Sequence, residues 1–118
     1  MSRIALVAAG LVAALALAAP IGATSSVTKL TGSVGPGFTI TLKSGGTKVT
    51  KLKAGTYTVK VADKSSIHNF HLTGPGVNKK TSVGAQVSTT WKVTFKTGTY
   101  KFVCDPHAAF MKGSFKVT

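Results

Sequence analysis

An alternation of apolar and polar residues at every second position runs through the chain from residue 27 to its end. It is clearest in residues 38–43 and 56–61. Successive side chains of a β-strand point to opposite faces, so this period of two predicts strands with one buried face. Glycine and proline clusters interrupt the alternation at short intervals, and no stretch has the apolar spacing of an amphipathic helix. The chain is therefore predicted to be all-β.

The turn residues divide this region into short segments. We expect an irregular excursion over residues 77–85. Strands are predicted at residues 27–34, 38–43, 49–52, 56–61, 67–72, 86–96, 99–103 and 113–117. Seven or eight short strands separated by such turns are typical of a β-sandwich of Greek-key type.

The chain begins with a segment that resembles a targeting signal. Arg3 precedes an unbroken apolar run over residues 4–19, and small residues then offer cleavage after Ala23 or after Ala18. The run is short for a membrane span, which favours a signal peptide over an uncleaved anchor. We therefore expect a signal peptide at 1–23, a single domain at 24–118, and export to the periplasm, the cell envelope or the outside of a bacterial cell.

The charge of the chain is strongly unbalanced. Lysine and arginine number 15 and acids only 2, and loss of Arg3 with the signal lowers the formal net charge from +13 to +12. The lysines could simply coat the solvent faces of strands. They could also attract an acidic redox partner or an anionic cell-envelope surface, with an association that weakens as salt rises. Nucleic acid is not an expected partner, because no groove-reading motif accompanies the charge.

The only cysteine, Cys104, opens the motif Cys-x2-His-x3-Met with His107 and Met111. A second imidazole, His68, lies upstream. Two histidines and a cysteine in a trigonal array, with a weak axial methionine, form the ligand set of blue-copper electron-transfer sites. Zinc would require a fourth strong ligand in place of the thioether. The motif therefore predicts a mononuclear copper site.

Each candidate ligand also has a simpler interpretation. Cys104 could be a small core residue at the end of a strand, and Met111 could fill a gap in the core. His71 competes with His68, and strand alternation would place His68 and Phe70 on one face and His71 on the other. The regular spacing of His107 and Met111 after Cys104 favours the metal site.

The order and context of these residues are similar to those of the cupredoxins, above all the small plastocyanin-like and amicyanin-like exported copper proteins. The resemblance covers nearly the whole mature chain. It rests on the dipeptide His68-Asn69 and on Tyr100-x-Phe102-x-Cys104-x2-His107-x3-Met111-x-Gly113. It implies copper bound by His68, Cys104, His107 and Met111. Three residues separate His107 from Met111, whereas plastocyanin-like loops have four and amicyanin-like loops have two.

The resemblance also implies roles for neighbouring residues. Asn69 would form hydrogen bonds to the loop that carries the cysteine. His107 would be the exposed ligand through which electrons pass, on a surface shared with Pro106, Phe110 and Pro36.

The function expected from the residues and the resemblance is a type 1 copper protein that shuttles single electrons and is not an enzyme. With only three histidines, the chain lacks ligands for further copper sites. A copper storage, delivery or resistance protein with the same ligands is the alternative. A redox protein donor and acceptor, both acidic, would be the partners. No small-molecule substrate is expected, and the domain is expected to be a monomer.

Overall fold

The computed structural model describes residues 28–118, so the predicted signal peptide lies outside the described residues. The part of the chain described folds into ten strands and one turn of 3-10 helix at Asp105–His107. The strands are β1 Thr28–Val34, β2 Ile40–Ser44, β3 Thr47–Lys48, β4 Lys51–Leu52, β5 Gly55–Asp63, β6 His71–Gly74, β7 Val77–Lys80, β8 Ser88–Phe95, β9 Gly98–Val103 and β10 Lys112–Val117. The all-β prediction is confirmed. Within residues 28–118, no helix has the length and apolar character that a membrane crossing requires.

The strands form two five-stranded sheets that pack as a sandwich. The order in the first sheet is β3-β2-β1-β5-β8, and in the second it is β4-β10-β9-β6-β7. Strands β1 and β5 are parallel, so the turns that follow them lie at the same end of the sandwich. The edge strands are β3 and β8 in the first sheet and β4 and β7 in the second.

Aromatic side chains fill the space between the sheets. Phe70 stacks on Phe102 with ring centroids 5.7 Å apart, and Tyr100 stacks on Phe115 at 5.5 Å. The hydroxyl of Tyr100 donates to the carbonyl of Pro75 at 2.8 Å, so its polar atom is satisfied although the ring is fully buried. Large rings between facing sheets bury much apolar area and contribute most of the packing energy of such a core.

The structure corrects two of the predicted strands. Residues 49–52 do not form one strand: β3 ends before them and β4 starts within them, and the two belong to different sheets. Buried Val49 lies between the two, and its N–H donates to Leu42. The predicted strand 67–72 is also wrong over most of its length, because β6 begins only at His71. His68, Asn69 and Phe70 are all buried, so the expected alternation of faces is absent there.

The irregular excursion predicted at 77–85 was wrong in its first half. Residues Val77–Lys80 form β7, which pairs with β6 in a hairpin around Pro75 and Gly76. Only Val77 of this strand is buried, and three exposed polar residues follow it. An edge strand with little apolar alternation gives no period-two signal. This strand and the division into β3 and β4 explain why there are ten strands and not seven or eight.

Candidate metal centre

Four loops meet at the end of the sandwich where β1 and β5 terminate. Parallel pairing of β1 with β5 and antiparallel pairing of their neighbours bring these loops together. The loops are residues 35–39, 64–70, 81–87 and 104–111. All the predicted ligands lie in two of them, 64–70 and 104–111.

Three metal-binding side chains converge there. The Nδ1 atoms of His68 and His107 are 3.0 Å apart, and the sulfur of Cys104 lies 3.6 Å from the first and 3.5 Å from the second. The centre of a triangle with these sides is about 2.0 Å from each corner, close to the length of a metal–imidazole bond. The donor set and its spacing therefore fit one metal ion held by two imidazoles and a thiolate.

Burial fixes His68 at the back of this cluster. Its side chain is 0% exposed, and its Nε2 has no hydrogen-bond partner within residues 28–118. Its other ring nitrogen, Nδ1, faces the cysteine and the second histidine. Leaving Nε2 buried without a partner costs free energy, and a metal bond at Nδ1 is an interaction strong enough to offset that cost.

Gly35 allows the turn after β1 to pack against the His68 loop. Its φ is +72°, a conformation that L side chains rarely adopt, and a Cβ atom here would lie 2.7 Å from the Cβ of Ser65. The same Cβ would lie 3.5 Å from Cδ2 of His68. Only glycine therefore allows this approach of the two loops.

Backbone hydrogen bonds close the loop between β9 and β10. The N–H of Cys104 donates to the carbonyl of Met111 at 3.0 Å, and the N–H of Met111 donates to the carbonyl of His107 at 2.8 Å. Pro106 stands in the first turn of the 3-10 helix, where the missing N–H costs little. The three-residue spacing from His107 to Met111 is thus accommodated by a compact turn, and Met111 is buried.

Asn69 joins the two ligand-bearing loops. Its Oδ1 accepts the backbone N–H of Asp105 at 2.7 Å, and its Nδ2 donates to Oδ2 of Asp105 at 2.8 Å. His71 lies outside the donor cluster and contacts the same carboxylate, with Nδ1 donating to Oδ1 at 2.8 Å. Its hydrogen-bond partners are the side chains of Asp105 and Asn78.

Asp105 is held as a carboxylate by these contacts. Desolvation by burial acts to raise its pKa, but the hydrogen bonds from His71 and Asn69 and the charges of His71 and Lys80 outweigh it. The pKa therefore lies below the usual value of 3.8. A charged acceptor strengthens both hydrogen bonds at mildly acidic and neutral pH.

Phe38 is a part of the site that the sequence analysis did not identify. Its ring stands edge-on to His68 and to His107, with centroids 5.0 and 5.1 Å away, and it also lies beside Phe110. Although it was predicted to begin a strand, β2 starts only at Ile40, and Phe38 is 58% exposed. Its one sequence signal is a large apolar residue directly after a Gly-Pro-Gly turn. It shields both imidazoles from water on the outer side.

The remaining predicted surface residues lie at the same end. Pro36, Pro106 and Phe110 are exposed, and His107 is partly exposed. The structure thus places Cys104, His107 and His68 together. Met111 is buried at the end of the 104–111 loop, and Asn69 joins that loop to the His68 loop.

A Greek-key sandwich that brings two histidines and a cysteine together at one end defines the class of blue copper proteins. The family model of the copper binding proteins, plastocyanin/azurin family, matches residues 37–118. The chain belongs to this family, and copper is its cofactor. No curated protein sequence matches the chain significantly.

Solved structures with the same fold include several of rusticyanin. A reduced rusticyanin is 21% identical, covers 76% of this chain and 78% of its own, and has a TM-score of 0.54. A methionine-to-glutamine mutant of rusticyanin is 22% identical over 76% of each chain, with a TM-score of 0.56. Rusticyanin from Thiobacillus ferrooxidans is 23% identical over 76% of each chain, with a TM-score of 0.52. At these identities the likeness concerns the fold alone.

Proposed function

We propose that the chain is an exported carrier of single electrons, with copper bound by His68, Cys104 and His107. The observation that carries this proposal is the convergence of their three donor atoms within 3.6 Å of one another. Met111 is proposed as the weak fourth ligand, because its burial and its two backbone bonds keep it beside Cys104 and His107.

Bound copper supplies one-electron chemistry by cycling between Cu(II) and Cu(I) in a geometry that suits both. The protein's part is to hold the donors still. His68 and Cys104 are fully buried, and the Cys104 loop is closed by its own hydrogen bonds. Fixed donors need little rearrangement when charge changes, whereas a site built for copper delivery would require ligands that can exchange.

Voltammetry of the copper-loaded domain tests this function. We expect a reversible one-electron wave, with copper retained in both oxidation states in the presence of a competing chelator. Rapid loss of copper from the reduced protein would instead support storage, delivery or resistance, the alternative that uses the same ligands. Because all three histidines already have a role in the site or its hydrogen bonds, no further copper site is proposed and the chain is not proposed to be an enzyme.

The apolar end of the sandwich is proposed as the electron-transfer surface. Among the described residues, all five exposed large hydrophobic side chains lie in the four loops there: Phe38, Ile67, Val83, Val87 and Phe110. Those loops carry only Lys64 and Asp105 as charged residues. An uncharged apolar patch around the partly exposed His107, including Pro36, Pro106 and Phe110, suits brief docking at a short electron-transfer distance.

The partners are proposed to be acidic, because residues 28–118 contain 14 lysines and only two acids. We expect the rate of electron exchange with an acidic redox protein to fall steeply as ionic strength rises, since screening shortens the reach of charge from about 30 Å at 0.01 M to about 8 Å at 0.15 M. Stopped-flow mixing measures this rate. With a basic partner the rate should rise with salt, and a rate that ignores salt in both cases would contradict the proposal.

Export is proposed on the basis of the predicted signal peptide at 1–23. The periplasm, the cell envelope or the outside of the cell is proposed as the location, with the anionic envelope as a further surface for the basic faces. A monomer is proposed, in keeping with brief encounters between carrier and partner.

A further inference from the structure

Both acids of the chain lie in one hydrogen-bond network beside the copper site. Asp63 is 3% exposed, and its carboxylate accepts from the Thr81 hydroxyl at 2.7 Å and the Ser65 N–H at 3.2 Å. The carbonyl of Thr81 accepts from Asn69 Nδ2 at 3.2 Å, and the same amide nitrogen donates to Asp105. A chain with 14 lysines therefore has its only two acidic side chains, Asp63 and Asp105, joined through Thr81 and Asn69.

Asp105 connects three separate segments. Its backbone N–H and its Oδ2 bond to Asn69 in the His68 loop, while its Oδ1 bonds to His71 at the start of β6. His71 reaches further, with Nε2 2.7 Å from Oδ1 of Asn78 in β7. Within residues 28–118, His71 is the one basic side chain within 4.0 Å of a carboxylate.

The two carboxylate oxygens of Asp105 bind different partners: Oδ1 contacts His71 and Oδ2 contacts Asn69. Because His71 occupies Oδ1, the carboxylate can turn only so that Oδ2 faces Asn69. Asp105 directly follows Cys104, and Asn69 directly follows His68. The double contact between Asp105 and Asn69 therefore fixes the backbone beside two of the three donor residues.

We propose that the His71–Asp105 pair is a positioning device that holds the Cys104 and His68 loops at their metal-binding separation, and that it does so before copper binds. Neither side chain contacts the metal. The proposal rests on the proposed ligand set. It adds the β6–β7 hairpin, which carries no ligand, to the parts of the chain that support the site. Outer groups that orient metal ligands typically change metal affinity by about 10- to 100-fold when removed.

The first measurement uses metal-free protein. Asp105→Asn replaces the carboxylate with a neutral amide at unchanged volume, so the hydrogen bonds with Asn69 and His71 lose their charged acceptor. We expect amide hydrogen exchange at position 105 and its neighbours, corrected for the intrinsic rate of the new side chain, to become about 10-fold faster, because hydrogen bonds to a charged group stabilise more than neutral ones. Lys79→Gln changes a charge on β7 outside the network and should leave this exchange rate unchanged.

The second measurement follows copper release from the loaded protein to a chelator. His71→Ala should speed release by about 10-fold or more, and the double variant His71→Ala/Asp105→Asn should be no faster than the faster single variant, because both disable one device. His71→Asn should restore slow release, since its amide nitrogen can replace Nδ1 as the donor to Asp105. If Asp105→Asn fails to fold, His71→Ala alone carries the test.

Unchanged hydrogen exchange at position 105 in Asp105→Asn, or additive effects on copper release in the double variant, would overturn the proposal while leaving the function intact. Failure of the copper site itself is recognised separately, by wild-type protein that binds copper without a thiolate absorption band. Unchanged release from His71→Asn relative to His71→Ala would also contradict the positioning role.

Discussion

Cys104→Ser is expected to abolish the intense visible absorption of the copper-loaded domain and to replace its narrow hyperfine splitting with that of ordinary Cu(II). The thiolate is the donor responsible for both features in a trigonal site of this type, and a serine hydroxyl is neither deprotonated at neutral pH nor a soft ligand. Absorption and electron paramagnetic resonance spectra after addition of Cu(II) measure the change.

Histidine variants supply the controls. His68→Ala should also lose the band, because it removes one corner of the donor triangle, whereas His71→Gln should retain it. A wild-type protein without the band, or one whose spectrum ignores both Cys104→Ser and His68→Ala, would show that the ligand assignment is wrong.

Gly113→Ala is expected to destabilise the metal-free domain by about 1–3 kcal/mol or more, the usual cost of forcing extra volume into a packed core. Gly113 pairs with Phe102 across β10 and β9, and a Cβ atom at this position would overlap the Phe102 ring. That ring is 2% exposed and stacks on Phe70, so it can give way only by disturbing this stack. Denaturant unfolding followed by the fluorescence of Trp91, the single tryptophan, measures the loss.

Gly84→Ala is the matched control. No heavy atom lies within 4 Å of the Cβ position at Gly84, so its effect should stay within about 0.5 kcal/mol. Equal stability of the two variants would mean that the Phe102–Phe70 stack does not fill the space beneath Gly113.

The ligand cluster was predictable because its residue types are rare in this chain and three of the four candidates are close in sequence. One cysteine and three histidines leave few combinations, and the spacing of Cys104, His107 and Met111 is local. The loop that carries them closes through its own backbone bonds, so the sequence pattern and the geometry agree.

Phe38 and the His71–Asp105 pair were not predictable, because each is a long-range contact without a local pattern. Phe38 meets His107 across 69 residues, and His71 meets Asp105 across 34. The strand predicted at 67–72 was wrong before His71 for a related reason. Where the chain crosses between sheets, His68, Asn69 and Phe70 all find buried partners, and the alternation that marks a strand no longer applies.

The lysines on the sheet edges bear on aggregation. An exposed edge strand offers unpaired N–H and C=O groups on which another chain can add a strand. Here every edge carries lysine: Lys48 on β3, Lys92 on β8, Lys51 on β4, and Lys79 and Lys80 on β7. Three of these edges are also four residues long or shorter. The same positive charge proposed to attract acidic partners therefore also disfavours edge-to-edge pairing between neighbouring copies.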